Sequence, residues 1–267
     1  MPPDRELIRI YANAARRLRA LVKQSIDAER LGTAAYYRRQ HEQVRAVLRD
    51  LGRKTRPLAW AAILQSYLEG LRIARIVERA DLPPATLGAR FNSVHRVAVE
   101  AAVDALVGRL DAARETVGRS TDDVFRRLTL ETVATTIATG EGPRGQARAL
   151  RAELEKQGLT AFVDKRGARW SLENYSSMAT ITVTREASTV GTVREMGAND
   201  RDLIAMTKHS GSCDVCRPWE GRTYSLSGRD PRYPKATVLA PLHPRCAHSM
   251  YPATATLEDL ERELGIV

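Results

Sequence analysis

The amino-acid sequence predicts an α+β protein, with a mainly helical N-terminal part followed by a small α+β C-terminal domain that contains a metal knuckle. Apolar residues recur every three or four positions through the first 140 residues, which is the period of an amphipathic helix. After residue 160 the pattern changes to short apolar stretches separated by glycine turns, and all three cysteines lie there. With 43% hydrophobic residues in 267, the chain can bury a core and is not expected to be disordered.

The first helix is predicted within "RELIRIYANAARRLRALVKQSIDAERLG", after Pro2-Pro3. Asp4 is its predicted N-cap and Gly32 its predicted stop. One apolar stripe runs along it. The stripe consists of Leu7, Ile10, Tyr11, Ala14, Leu18, Leu21, Val22 and Ile26.

Further helices are predicted at residues 33–51, 58–80, 91–117, 121–139 and 144–157. The first of these should turn Tyr37, Val44, Val47, Leu48 and Leu51 inward. Three kinds of local signal separate the helices: the basic turn "GRKTRP" at 52–57, the proline pair in "DLPPATLG" at 81–88, and "GEGP" at 140–143. Ser120 or Thr121 is expected to cap the helix at 121–139.

The C-terminal part is predicted to begin with a hairpin over residues 160–175, in which Gly167 supplies the turn. Ser171 should cap a helix that runs to Met196 and ends at Gly197. Strands are expected within 202–210 and 221–228, followed by a loop and a short tail helix at 256–264. The predicted division is a basic helical domain at 1–140, a connecting helix at 141–159 and a C-terminal domain at 160–267.

Positive charge is concentrated near the N-terminus. The formal net charge is +10, and residues 1–100 hold 19 Lys and Arg against 10 Asp and Glu, whereas residues 101–267 hold 23 against 22. A clustered basic surface favours nucleic acid or an acidic protein as partner, although solvated helix faces would look the same. The candidate nucleic-acid contacts are Arg16, Arg17, Arg19, Lys23, Arg38, Arg39, Arg53, Lys54 and Arg56.

No apolar run approaches the roughly 20 residues that span a bilayer, and the N-terminus has no signal-peptide core. The sequence therefore predicts a protein made in a cytoplasm that does not bind membranes. Disulfides are not expected in a reducing compartment.

The cysteines lie in "HSGSCDVC" (209–216) and "PLHPRCAH" (241–248). Cys213 and Cys216 form a C-x-x-C pair, and His243, Cys246 and His248 form H-x-x-C-x-H. Zinc takes four nitrogen or sulfur ligands, commonly as two close pairs separated by a loop. Three thiolates and one imidazole favour zinc over harder cations, with the fourth ligand open between His243 and His248.

Three other interpretations compete with a metal site. A redox C-x-x-C should open a helix, but "CDVCRPWEG" reads as turn. A cysteine nucleophile at Cys246 beside a histidine would leave Cys213 and Cys216 without a role. Three ordinary buried thiols would not need interleaved histidines. Arg185-Glu186, in the preceding helix, is interpreted as a surface ion pair, and no catalytic residue is predicted.

The motifs "SGSCDVCRPWEGRTYSLSG" and "PLHPRCAHSMYP" resemble the C-terminal signature of tailed-phage minor capsid proteins, the phage minor capsid protein 2 family and the related Mu F-like head morphogenesis proteins. The stretch "FVDKRGARWSLENYSSMATITVTREAS" is similar to the segment that precedes this signature. The resemblance covers about residues 160–252. Ala247 stands where the family usually has arginine, and "REAS" stands where it often has "RTET"; neither departure removes a candidate ligand.

The resemblance implies a non-enzymatic structural protein of the virion, located in the phage head interior or at the portal vertex and made in the bacterial host cytoplasm. Its implied partners are the phage portal protein, the major capsid protein and packaged double-stranded DNA. The alternatives are a phage-encoded enzyme or toxin-like module, such as a nuclease or transferase, and a zinc-containing DNA-binding protein. The end of the chain at Val267 without an effector domain argues against the toxin alternative.

Overall fold

The computed structural model describes residues 1–28, 33–76, 92–138, 161–163 and 167–253. Long helices dominate this part of the chain, and short antiparallel strands follow. The helices are α1 (Pro3–Asp27), α2 (Ala34–Ile76), α3 (Ser93–Ala138) and α4 (Leu172–Ala198). The strands are β1 (Ala161–Val163), β2 (Arg169–Ser171), β3 (Leu203–Met206), β4 (Thr223–Ser225) and β5 (Met250–Pro252). The α+β prediction is confirmed.

Helix α1 follows its predicted stripe. Seven of the eight stripe residues are buried, and Ile10 is half-buried. The predicted cap is wrong, because α1 begins at Pro3 and Asp4 lies inside its first turn. The negative charge of Asp4 is stabilising there, at the positive end of the helix dipole. Gly32 lies outside the described residues.

Helix α2 runs through the predicted turn at 52–57, so the separation into helices at 33–51 and 58–80 is wrong. Pro57 lies inside α2 with its ring exposed. Because proline has no backbone N–H, one hydrogen bond of the helix is missing there. The buried side continues unbroken through Leu51, Thr55 and Ala59, at steps of four. Packing on that side outweighs the local preference for a turn. The predicted break at 81–88 lies outside the described residues.

The predicted boundary at Ser120 and Thr121 is also wrong, since α3 is continuous there. Thr121 is buried, and its hydroxyl donates back to the carbonyls of Val117 and Gly118 within the same helix. A threonine that bonds backward to its own helix does not cap a new one. The turn at 140–143, the helix at 144–157 and the tail helix at 256–264 fall outside the described residues.

The hairpin is confirmed: β1 pairs with β2 in antiparallel register, Phe162 lies opposite Trp170, and Gly167 takes a φ of 79°. The cap of α4 is confirmed too, because the Ser171 Oγ accepts the Asn174 N–H at 3.1 Å. Gly197 lies within α4 rather than ending it. The chain turns instead at Asp200, which has a positive φ of 52°.

The described residues group into two compact units. One comprises Met1–Ala59 and Ala105–Ser177, and the other comprises Trp60–Asp104 and Met178–Val267. The sequence-based division at 1–140, 141–159 and 160–267 remains a proposal about separately folding parts. Every residue of the cysteine–histidine cluster belongs to the second unit.

A three-stranded antiparallel sheet in the second unit has the order β4-β3-β5, with Ile204 opposite Tyr224 and Ala205 opposite Tyr251. The first two strands match the predictions, whereas β5 was not predicted. Buried residues of α2, α4, the sheet and the segment between β4 and β5 form one core. Its members are Ala74, Met196, Ile204, Met206, Tyr224, Ala240 and Met250.

Candidate metal centre

The structure brings together all five predicted metal ligands. They form two overlapping triads, Cys213–Cys216–His243 and Cys216–Cys246–His248, and within each triad the ligand atoms lie within 4.8 Å of one another. Cys216 belongs to both triads. The loops at 209–216 and 241–248 therefore close on each other, as their sequences predict.

The first knuckle is a pair of tight turns. The Cys213 carbonyl accepts the N–H groups of Cys216 and Arg217, at 3.0 and 2.9 Å. The Cys216 carbonyl in turn accepts the N–H groups of Trp219 and Glu220, at 2.9 and 3.1 Å. This winding brings both cysteines to one side and directs Glu220 back toward the cluster.

The second knuckle is held by α4. The Cys246 N–H bonds the His243 carbonyl at 3.0 Å, and between them Arg245 has a φ of 60°. Its N–H donates to the Thr182 hydroxyl at 3.1 Å, which stabilises this left-handed backbone. Arg185 donates to the Cys246 carbonyl, and Thr189 donates to the Ala240 carbonyl at 2.7 Å.

Thr182, Arg185 and Thr189 are three and four positions apart, so one face of α4 positions the loop that carries His243 and Cys246. The interpretation of Arg185 with Glu186 as a surface ion pair is therefore wrong for Arg185. Adjacent residues point to different sides of a helix, and Arg185 bonds the cluster loop whereas Glu186 is exposed.

The three thiols have different environments. Burial, followed by the neighbouring thiols, raises the pKa of Cys216 to about 12. Burial also opposes charge on Cys246, but hydrogen bonds from the Leu242 backbone, the His248 backbone and the His248 ring lower its pKa to about 7. The Cys216 backbone N–H lowers the pKa of Cys213. All three are free cysteines, and Cys216 and Cys246 lie 3.7 Å apart between sulfurs.

Each histidine has one ring nitrogen toward a cysteine and the other toward an oxygen. His243 Nε2 lies 3.3 Å from Cys213 Sγ, and its Nδ1 lies 2.9 Å from the Pro244 carbonyl. His248 Nδ1 lies 3.6 Å from Cys246 Sγ, and its Nε2 lies 3.0 Å from the Glu220 carboxylate. Burial opposes charge on His248, but the Glu220 hydrogen bond prevails and its pKa is raised.

These residues fit a metal ion. Metal-binding histidines characteristically give their second ring N–H to a carboxylate or a carbonyl, as both do here. Three sulfurs packed this closely would repel one another as thiolates without a cation between them. Glu220 was missed by the sequence analysis, and its only signal is an acidic residue inside the first knuckle turn.

The nine predicted nucleic-acid residues lie on α1 and α2. Three of them, Arg17, Arg53 and Lys54, line a groove of about 440 Å³. Asp50 lies in the same groove and pairs with Arg53 and Lys54 at 2.9 and 2.6 Å. Arg16 bonds Asn13, and Arg19 approaches Glu173 at 3.4 Å.

The fold and the cluster define a largely helical α+β protein with a cysteine–histidine centre that could hold a metal. A family model described as "Phage minor capsid protein 2" matches residues 59–255. The chain belongs to this phage minor capsid family, and its resemblance to it is confirmed. Family membership supports a structural role.

The curated comparison finds a "Structural protein" of Lactococcus phage LL-H, 31% identical over 111 residues. The match covers 36% of this chain and 29% of the relative, so the chain corresponds to well under half of that protein. No solved structure matches. None of the helices in the described part of the chain has both the length and the apolar character needed to cross a membrane.

Proposed function

We propose that the chain is a non-enzymatic minor component of a tailed-phage head, that it contacts the portal and major capsid proteins, and that zinc stabilises its C-terminal unit. The family match over residues 59–255 carries the structural role. The name of the curated relative, a phage structural protein, supports the same conclusion.

Location and partners are tested in purified phage particles. The protein should be present in intact virions at few copies, and cross-links from residues 59–255 should reach the portal or major capsid protein. Quantitative mass spectrometry of particles before and after DNA ejection measures both. Absence from intact particles would contradict the proposal, and an enzymatic turnover lost on changing cluster residues would favour the enzyme alternative.

The choice of zinc rests on donor chemistry. Three thiols and two imidazoles are soft or borderline donors, which suit zinc and disfavour magnesium and calcium. Elemental analysis of protein purified without added metal should give about one zinc per chain. Cys216→Ser should lose it, whereas Ser210→Ala, an exposed change in the same knuckle, should retain it.

The basic residues of α1 and α2 support a second proposal, contact with packaged DNA through its phosphates. Arg17, Arg53 and Lys54 share one groove, although Asp50 offsets part of their charge. Binding should be independent of sequence and should weaken steeply with salt. Changing Arg17 to Ala should lower the salt slope by about one, because one phosphate contact is lost. Fluorescence anisotropy with two unrelated duplexes measures this.

A further inference from the structure

Two triads share Cys216, and each contains one candidate histidine ligand, His243 in the first and His248 in the second. Both histidines have the hydrogen-bonding pattern of a ligand, because the second nitrogen of each faces an oxygen. That pattern therefore does not choose between them. The distances to sulfur and the burial of the two rings do.

Ligand–ligand distances separate the two histidines. With Zn–S of about 2.3 Å and Zn–N of about 2.0–2.1 Å, tetrahedral geometry places two sulfurs about 3.8 Å apart and a sulfur and a nitrogen about 3.6 Å apart. Cys216 Sγ and Cys246 Sγ are 3.7 Å apart, and Cys246 Sγ and His248 Nδ1 are 3.6 Å apart. Both match. His243 Nε2, at 3.3 Å from Cys213 Sγ, is closer than a shared tetrahedral ion requires and is at an ordinary N···S hydrogen-bond distance.

The burial of the two triads also favours His248 over His243. Cys216, Cys246 and His248 are 0%, 0% and 4% exposed, so this triad is shielded from water on all sides. The triad with His243 includes the exposed Cys213 and a half-buried ring. A zinc site in the buried triad would be the one that the fold protects.

Glu220 restricts the orientation of the His248 ring. Its side chain is 9% exposed, and its carboxylate lies 3.0 Å from His248 Nε2. A carboxylate only accepts, so Nε2 carries a hydrogen, and Nδ1, which faces Cys246, is the ring nitrogen left to bind a metal. An edge-on contact with His209, with ring centroids 4.7 Å apart, further restricts the imidazole.

We infer that His248, through Nδ1, binds the metal together with Cys216 and Cys246, and that Glu220 is the residue that positions it. His243 then lies outside the metal shell and bonds the Cys213 sulfur. This inference rests on the proposed zinc site.

The test compares His248→Ala, His243→Ala and Glu220→Gln in the full chain. Zinc affinity is measured by competition with a chromophoric chelator, the visible spectrum is recorded after cobalt(II) replacement, and circular dichroism checks the fold. A change in a residue outside the metal shell is expected to lower zinc affinity about 10- to 100-fold. His248→Ala should lower it by more than this. Glu220→Gln should weaken it about 10- to 100-fold with an unchanged type of cobalt spectrum, and His243→Ala should have a smaller effect.

A second pair of variants keeps the test decisive if His248→Ala does not fold. His248→Cys should bind cobalt(II) with added thiolate charge-transfer intensity, and His243→Cys should not, since only a ligand changes the metal's absorption. The reverse result would overturn the assignment to His248. An unchanged Glu220→Gln affinity would overturn the role of Glu220. A wild-type chain that binds no zinc or cobalt would instead refute the zinc proposal itself.

Discussion

Gly70 on α2 lies against Ser188 on α4 so closely that a Cβ on Gly70 would fall 1.9 Å from the Ser188 carbonyl oxygen. The contact is reciprocal, because a Cβ on Gly191 would lie 2.3 Å from the Tyr67 carbonyl. The Thr192 hydroxyl donates to the Gly70 carbonyl at 3.1 Å. The two helix backbones meet here without side chains between them.

Gly70→Ala should therefore destabilise the protein by about 3 kcal/mol or more, since backbone rather than a flexible side chain must move. Gly108→Ala is the matched control. It also lies inside a helix, but nothing is within 4 Å of its Cβ position, so it should stabilise by about 0.5–1 kcal/mol. Urea unfolding of both variants measures the difference, and equal effects would contradict the close approach.

Arg185 should matter for the metal centre although it is not a ligand. Arg185→Ala removes the donor to the Cys246 carbonyl and should weaken zinc about 10- to 100-fold. Arg185→Lys should recover only part of this, because an ammonium is not a planar fork. Glu186→Ala, at the exposed neighbouring position, should bind zinc like the wild type. Hydrogen exchange of residues 240–246 gives a readout that does not need metal, and unchanged protection in Arg185→Ala would count against the contact.

Thr189→Val should cost about 1–3 kcal/mol. The change keeps the shape of the side chain but leaves the Ala240 carbonyl without its donor in a buried position. Thr116→Val removes a hydroxyl that bonds only its own helix and Arg119 near the surface, so it should change stability by less than about 0.5 kcal/mol. Thermal unfolding compares the two.

Asp202 should make stability depend on acid pH. Burial raises its pKa, but hydrogen bonds from the Ser225 hydroxyl and the Ser227 N–H outweigh burial, and the pKa is lowered. A lowered carboxyl pKa contributes stability above the unfolded value, about 4, and this stability is lost as the pH falls through the folded value. Asp202→Asn should thus be less stable than the wild type at pH 7. This difference in stability should disappear as the pH falls below about 4. Asp214→Asn removes a carboxylate that is 92% exposed and serves as the control, and urea unfolding at pH 7 and at acid pH compares the two variants.

One helix stripe, one tight turn and one helix cap were predictable because their signals are local. The stripe of α1, the hairpin turn at Gly167 and the Ser171 cap are all confirmed. The predicted breaks at 52–57 and at Ser120–Thr121 failed for one reason. A breaker residue acts only on its own turn, whereas the buried side of each helix continues through it.

The sequence by itself determined that two short loops carry all the cysteines and that these loops meet. It could do so because the spacing of the candidate metal ligands within each loop is a local pattern. It did not distinguish His243 from His248 as a metal ligand. Only the tertiary structure brought Glu220 to His248 and Arg185 to Cys246, across 28 and 61 positions of chain. Such contacts are set by how α4 and the sheet pack, which no local pattern encodes.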